Sequence, residues 1–449
     1  MTIRSHHFLL LLSVSLLLAS CSKKGGTGNN PGGSVPSCSS NTSPANGQFV
    51  TGASVVLSWT AVSGATSYDV YLGASSTPTT VITNTTATSY TYTLPVFATS
   101  ERLYWYVQPK NASGGATGCA TSVTSFVVTI IQAPPPFGYY VVGYFPSYRN
   151  LADVTDQKFR MTNVVVYAFY GVNNTGTLSA PSAPASTLAA VKAKASANSA
   201  KTFLGINDGS GDGKTNFKNM AASASGRTAF VASVMNTVRA AGVDGVDLDW
   251  EFPTTSDGTD VTFTALVKEL SDSLHRDGRY YFSIAITAGK YAGGIRDAIR
   301  NEIYPYVDFF NIMAYDDFST SVPYKHHSDL ALAQTCLNYW LNTRSMPAAK
   351  TVLGIPGYGR PSGITQSNTV LTYKTILSQG GNPSLDSAVV TAGGFTNYTI
   401  YYNGQYTVKR KAILAKQIAN GVMFWEKWQD ATDANSLLKA ACDTVGRSY

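Results

Sequence analysis

DGVDLDWE, residues 244–251, sets three carboxylates at every second position of an apolar run. Side chains on a strand alternate faces, so Asp247, Asp249 and Glu251 share one face while Val246, Leu248 and Trp250 share the other. A purely structural strand avoids this pattern, because an ionised carboxylate is among the costliest groups to remove from water. In a parallel barrel the apolar set packs under helices and the acidic set points inward, with Glu251 nearest the C-terminal end, where barrel enzymes keep their chemistry. Three close carboxylates cannot all ionise cheaply, so a shared proton and a raised pKa are expected. A general acid working near neutral pH needs that property. No His stands nearby in sequence and the strand lacks metal-ligand spacing, so neither a metal nor a cofactor is expected.

The flanking sequence supports such a barrel. From Tyr139 onward, apolar runs alternate with amphipathic segments: YYVVGYF, NVVVYAFYG, KTFLGIN, GVDLDWE, YYFSIAITA, DFFNIMAYD, TVLGIPGYG and GVMFWE. The intervening GRTAFVASVMNTVRAAG (226–242) has helical spacing at Phe230, Val231, Val234, Met235 and Val238, with Gly242 as its stop. Eight strands with helices between them, over residues 139–449, predict an α/β fold of the (β/α)8 TIM-barrel type. An open doubly wound sheet is the alternative, but no glycine-rich dinucleotide loop follows the first strand. Between Arg360 and Gly421 the chain exceeds what one helix needs, which predicts a small insertion after strand seven.

DGVDLDWE closely resembles the signature of glycoside hydrolase family 18, the chitinases and their relatives. Other segments agree in order: VVGYFPSY and VVVYAF with strands one and two, NIMAYD (311–316) with strand six, KTVLGIPGYGR (350–360) with strand seven, and GVMFWE (421–426) with strand eight. The resemblance implies a retaining hydrolase of β-1,4-linked N-acetylglucosamine polymers working by substrate assistance, in which the acetamido oxygen of the sugar attacks the anomeric carbon. It implies Glu251 as the acid, Asp249 as the group orienting the acetamido moiety, Asp247 as its proton-sharing neighbour and Tyr315 as a hydrogen-bond donor to the acetamido carbonyl. Trp425 becomes the platform under the sugar, with Tyr144, Phe169, Met313, Asp316, Tyr358 and Arg360 lining the groove. One departure stands on strand three: FLGINDGSGDG (203–213) has Gly205 where the family usually carries a Ser bonded to the inner Asp, and lacks the adjacent Trp.

Upstream, residues 38–131 read as short alternating strands (SVVLSWTAV, SYDVYLG, SYTYTL, LYWYVQPKN, TSFVVTI), which predicts a small β-sandwich. The combination resembles fibronectin type III and related immunoglobulin-like modules, with Trp59 and Tyr104 expected in its core. Cys38 and Cys119 bracket this segment and are candidates for a bridge in an exported protein. Whether Cys336 and Cys442 meet is open from sequence. QAPPPFG (132–138) reads as a stiff Pro-rich hinge, and residues 22–37 as a flexible tether.

The N-terminus sets the compartment. Arg4, an apolar stretch from Phe8 to Leu18 and then LASC form a signal-peptide pattern over residues 1–21. LASC resembles the lipobox of bacterial lipoproteins, which makes Cys21 the lipidated residue; Ser22 after it suggests the outer membrane. No other segment is read as membrane-crossing. Of 449 residues only 13% are charged and 12% are aromatic, 27 of them Tyr, with a net charge of +7. No basic run interleaves with aromatics, so a nucleic-acid partner is not expected. The expected partners are chitin or other N-acetylglucosamine-containing glycans and, through the lipid, a membrane; the chain itself is expected to be a monomer. Two other functions compete: an endo-β-N-acetylglucosaminidase acting on the chitobiose core of N-glycans, and a non-catalytic glycan-binding lipoprotein. The presence of Glu251 argues against the second.

Overall fold

The computed structural model describes residues 34–449 except 96, 98, 99 and 277. The expected signal peptide, Cys21 and most of the tether lie outside the described residues. The described residues form two compact units: 34–94 with Arg102–Val127, and the remainder through Val128–Tyr449.

Eight parallel strands build the larger unit: β1 (Tyr140–Pro146), β2 (Val164–Val172), β3 (Lys201–Asp208), β4 (Gly245–Asp249), β5 (Tyr281–Thr287), β6 (Phe309–Met313), β7 (Thr351–Pro356) and β8 (Gly421–Trp425). Each pairs with the next, and β8 pairs back onto β1, with Val142 opposite Met423, so the sheet closes into a barrel. The period-two alternation sorts the apolar residues into two cores. Tyr140, Val142, Tyr144, Val166, Phe203, Phe309 and Met423 fill the barrel. Val141, Phe145, Val165, Leu204, Val246 and Leu248 face the surrounding helices instead. Burying each such side chain contributes about 1.5–3 kcal/mol.

The helices follow their sequence signals. Ala224–Ala241 buries Phe230, Val234, Met235 and Val238, starts on a Ser223 cap and stops at Gly242, whose φ of 63° ends the helix in the left-handed region. The length beyond strand seven forms a four-stranded sheet in which Tyr358–Pro361 lies between Leu371–Thr372 and Phe395–Tyr401, with Ser387–Ala392 at the edge. Residues 132–138 are not a free hinge. Gln132 N donates to His275 O, Tyr281 OH donates to Pro135 O, and the Phe137 ring stacks on Tyr281 at 4.8 Å. Phe137 is a large apolar group, and covering the barrel base removes it from water.

The smaller unit has two antiparallel sheets, one of three strands (Asn41–Ser43, Ser54–Trp59, Ser89–Thr93), the other built around Glu101–Asn111 and Ser67–Gly73. Leu57, Trp59, Val70, Trp105, Val107 and Phe126 are its core. Trp59 is buried as expected, but Tyr104 is not a core residue. In Glu101–Asn111 the inward positions are Leu103, Trp105 and Val107, so Tyr104 falls on the opposite face. Cys38 and Cys119 form a disulfide, whereas Cys336 and Cys442 are free and buried.

Candidate active site

β4 ends at Asp249, so the three carboxylates descend from solvent to interior in steps. Asp247 is completely buried, Asp249 retains 6% exposure, and Glu251 stands past the strand at the open mouth. The intervening Trp250 fixes this exit. Its ring faces away from the barrel, stacks on Phe217 at 5.1 Å and meets Phe263 edge-on at 5.7 Å.

Asp247 is held by three donors from three strands. Tyr144 OH donates to Oδ2 at 2.6 Å; Ser283 Oγ and Asn311 Nδ2 donate to Oδ1 at 2.5 Å and 3.1 Å. Burial still raises its pKa, against the pull of Ser283, Tyr144 and Asn311 in the other direction. Asp249 has no such help. Its Oδ1 is buried without a hydrogen-bond partner, and burial followed by the charges of Glu251 and Asp247 raises it well above the carboxylate range. Glu251 is raised as well, by burial first and the charge of Asp316 second. The result is a column of carboxyl groups that keeps protons at pH values where exposed acids have lost them.

Across the mouth, the turn after β6 carries Tyr315 and Asp316. Asp316 has a φ of 63°, uncommon for a residue with a Cβ. Three neighbours hold it there: Tyr358 OH donates to Oδ1 at 2.7 Å, Arg360 Nε lies 3.2 Å from the same oxygen, and His327 Nδ1 lies at 3.5 Å. Burial alone raises Asp316, but these groups outweigh it and its pKa is lowered. The half-buried Tyr315 ring meets Tyr358 edge-on at 6.3 Å. Gly354 on β7 makes room for it, since a Cβ there would lie 2.9 Å from Tyr315 Cε1. Two cavities flank Glu251. One, of about 420 Å³, is lined by Glu251, Tyr291, Met313, Tyr315 and Asp316 among others. The second, of about 500 Å³, runs between Glu251, Lys218, Trp250 and Asp257. Beside the first, Asp317 accepts from Lys290, from Tyr291 OH at 2.5 Å and from Lys325 at 2.5 Å, tying three segments of the rim together.

Trp425 at the end of β8 is half-buried and runs nearly parallel to Phe169, with centroids 5.6 Å apart and planes 18° apart. Tyr144 meets Trp425 at 64° and 5.4 Å.

The expected residues therefore fall into groups. Glu251, Met313, Tyr315 and Asp316 surround one cavity. Trp425 at the end of β8 and Phe169 within β2 form an aromatic stack. Tyr144 lies beneath the groove, 2% exposed and committed to Asp247. Tyr358 and Arg360 act on Asp316. Sequence reasoning missed Ser283, Asn311 and His327. Period-two alternation through YYFSIAITA puts Ser283 on the inward face, the one signal that was there to find it.

Comparison with known proteins identifies the family and the fold of the barrel. The family described as glycosyl hydrolases family 18 matches residues 140–430. Chitotriosidase-1 of Mus musculus is 28% identical over 271 residues, and endochitinase 1 of Metarhizium robertsii is 27% identical over 280. These alignments take in 50% and 55% of the chain, and 57% and 65% of the relatives. Among solved structures, a chitinase of Bacteroides thetaiotaomicron shares the fold, with a TM-score of 0.59 at 20% identity over 70% of this chain and 99% of the other. A family 18 chitinase of Cycas revoluta, solved with allosamidin, is 25% identical with a TM-score of 0.58, over 68% of this chain and 99% of that one.

Proposed function

The chain belongs to glycosyl hydrolase family 18, and on that premise we propose that it is a chitinase, cleaving β-1,4 links between N-acetylglucosamine units with retention of configuration. The observation that carries this reading is Glu251, an acid with a raised pKa, open to two cavities and standing above a proton-keeping pair, Asp247 and Asp249. Glu251 gives its proton to the glycosidic oxygen as the bond to the anomeric carbon breaks. The substrate's own acetamido oxygen attacks that carbon and forms an oxazolinium ring, so no protein nucleophile is required. Asp249 accepts the acetamido N–H, and Tyr315 donates to the acetamido carbonyl, holding that oxygen against the carbon it attacks. Glu251, now ionised, takes a proton from the water that opens the ring, which restores the acid. Trp425 supports the sugar from below.

The relatives support the substrate class: a Cycas revoluta chitinase of this family has been solved with an N-acetylglucosamine trimer, (GlcNAc)3. Mass spectrometry of products from chitin oligomers and from high-mannose glycopeptides tests it. Cleavage of the oligomers is expected; cleavage of the glycopeptides alone would refute it in favour of the endo-β-N-acetylglucosaminidase. We further propose export and anchoring of a monomer through lipid on Cys21, on the strength of LASC.

A further inference from the structure

Asp247 is flanked at its own level by one residue from each neighbouring strand, Gly205 on β3 and Ser283 on β5. All three lie on the inward face, so a hydroxyl on either flank is placed to serve the buried carboxylate. Gly205 has none, and little space for one: a Cβ there would lie 3.0 Å from both Phe169 Cδ1 and Val166 Cγ1. The ring that runs along Trp425 fills that flank. The donor stands on the other side, where the fully buried Ser283 places its Oγ 2.5 Å from Asp247 Oδ1. Tyr144 and Asn311 also bond to each other at 3.2 Å, so their pairing persists without Ser283.

We infer that Ser283 is a positioning residue of the site: its hydroxyl keeps the charge of the Asp247–Asp249 pair on Asp247 and so leaves the shared proton on Asp249. A hydrogen bond to an ionised group favours that ionised form. Asp247 has three such bonds, whereas Asp249 Oδ1 has no partner. Of the groups pulling Asp247 down against burial, Ser283 is the strongest. The proton then sits on the carboxyl group next to Glu251, where the substrate arrives.

The kinetic side of this inference rests on the hydrolase reading; the protonation side does not. The test is therefore ¹³C NMR titration of aspartate-labelled, unliganded protein, with signals assigned through Asp247→Asn and Asp249→Asn. In Ser283→Ala the Asp247 midpoint is expected to rise by about 1–2 pH units, the usual effect of losing one bond to a charged group. Ser283→Thr, which keeps the hydroxyl, is expected to titrate like the parent. Identical midpoints in the parent and Ser283→Ala would overturn the inference. If Ser283→Ala does not fold, Ser283→Cys, a weak donor of similar size, should give an intermediate midpoint, and a parental one there would also overturn it. On chito-oligosaccharides the acid limb of kcat should move up with Asp247 while KM stays constant. A parent that cleaves no such substrate would defeat the proposed function and leave the titration to judge Ser283.

Discussion

The acid role proposed for Glu251 needs something to keep its proton on near neutral pH, and two features of its surroundings do so. Partial desolvation of the carboxyl group comes first, and the negative charge of Asp316 adds to it. Replacing Asp316 with Asn removes the charge while leaving an oxygen for Tyr358. The Glu251 pKa should then fall toward the ordinary range, so the alkaline limb of the pH–rate profile should move to lower pH, by about 1 unit or less. Deeper in, Asp249 exchanges stability for function. Its folded pKa is raised, so its contribution is fully present below the unfolded value of about 3.9 and is lost as pH rises toward the folded one. Asp249→Asn cannot ionise and escapes that loss. Thermal unfolding should show the variant more stable by at least about 1 kcal/mol at pH 8, with the advantage gone near pH 4, and hydrolysis lost throughout. At this scale the acids were legible in DGVDLDWE because carboxylates stand out in an apolar strand. Ser283 and Asn311 were not, since a lone serine in YYFSIAITA or an asparagine in DFFNIM looks like ordinary strand variation. Their meaning comes from the strands they lie beside.

The strands themselves were easy to read. Buried parallel strands are near-continuous apolar runs, and the chain offers eight, each bounded by polar or glycine-rich connections. The insertion was legible only as surplus length; its four strands were not, because edge strands such as Ser387–Ala392 alternate buried and exposed residues weakly. Register failed where both faces are aromatic, as in LYWYVQPKN, in which Trp105 rather than Tyr104 turned inward. The Pro-rich QAPPPFG has the composition of a linker, and only Phe137 hinted at packing on the barrel. Trp425 and Phe169 lie nearly parallel on β8 and β2, so truncating Trp425 removes the proposed sugar platform and one side of the Phe169 contact. Trp425→Ala should lower kcat/KM by roughly 10-fold or more, matching the 1–3 kcal/mol typical of aromatic stacking, with Michaelis–Menten kinetics on chito-oligosaccharides as the check. Unchanged kinetics would place the sugar elsewhere.

For the molecule as a whole, the sequence separated a small β unit from a barrel, and the pairing of the described cysteines follows that division. The Cys38–Cys119 bridge belongs to the small unit, which has few core residues to rely on, while the barrel leaves Cys336 and Cys442 reduced and buried. The barrel needs no such staple, because its two apolar layers hold it. In the mechanism proposed for it, the sugar's own acetamido group, held by Asp249 and Tyr315, does the work of a nucleophile while Glu251 protonates the leaving oxygen. Time-resolved ¹H NMR of the anomeric protons during chito-oligosaccharide hydrolysis tests this most directly. The new reducing ends should form first as the β-anomer and only later equilibrate; products that form first as the α-anomer would contradict the mechanism.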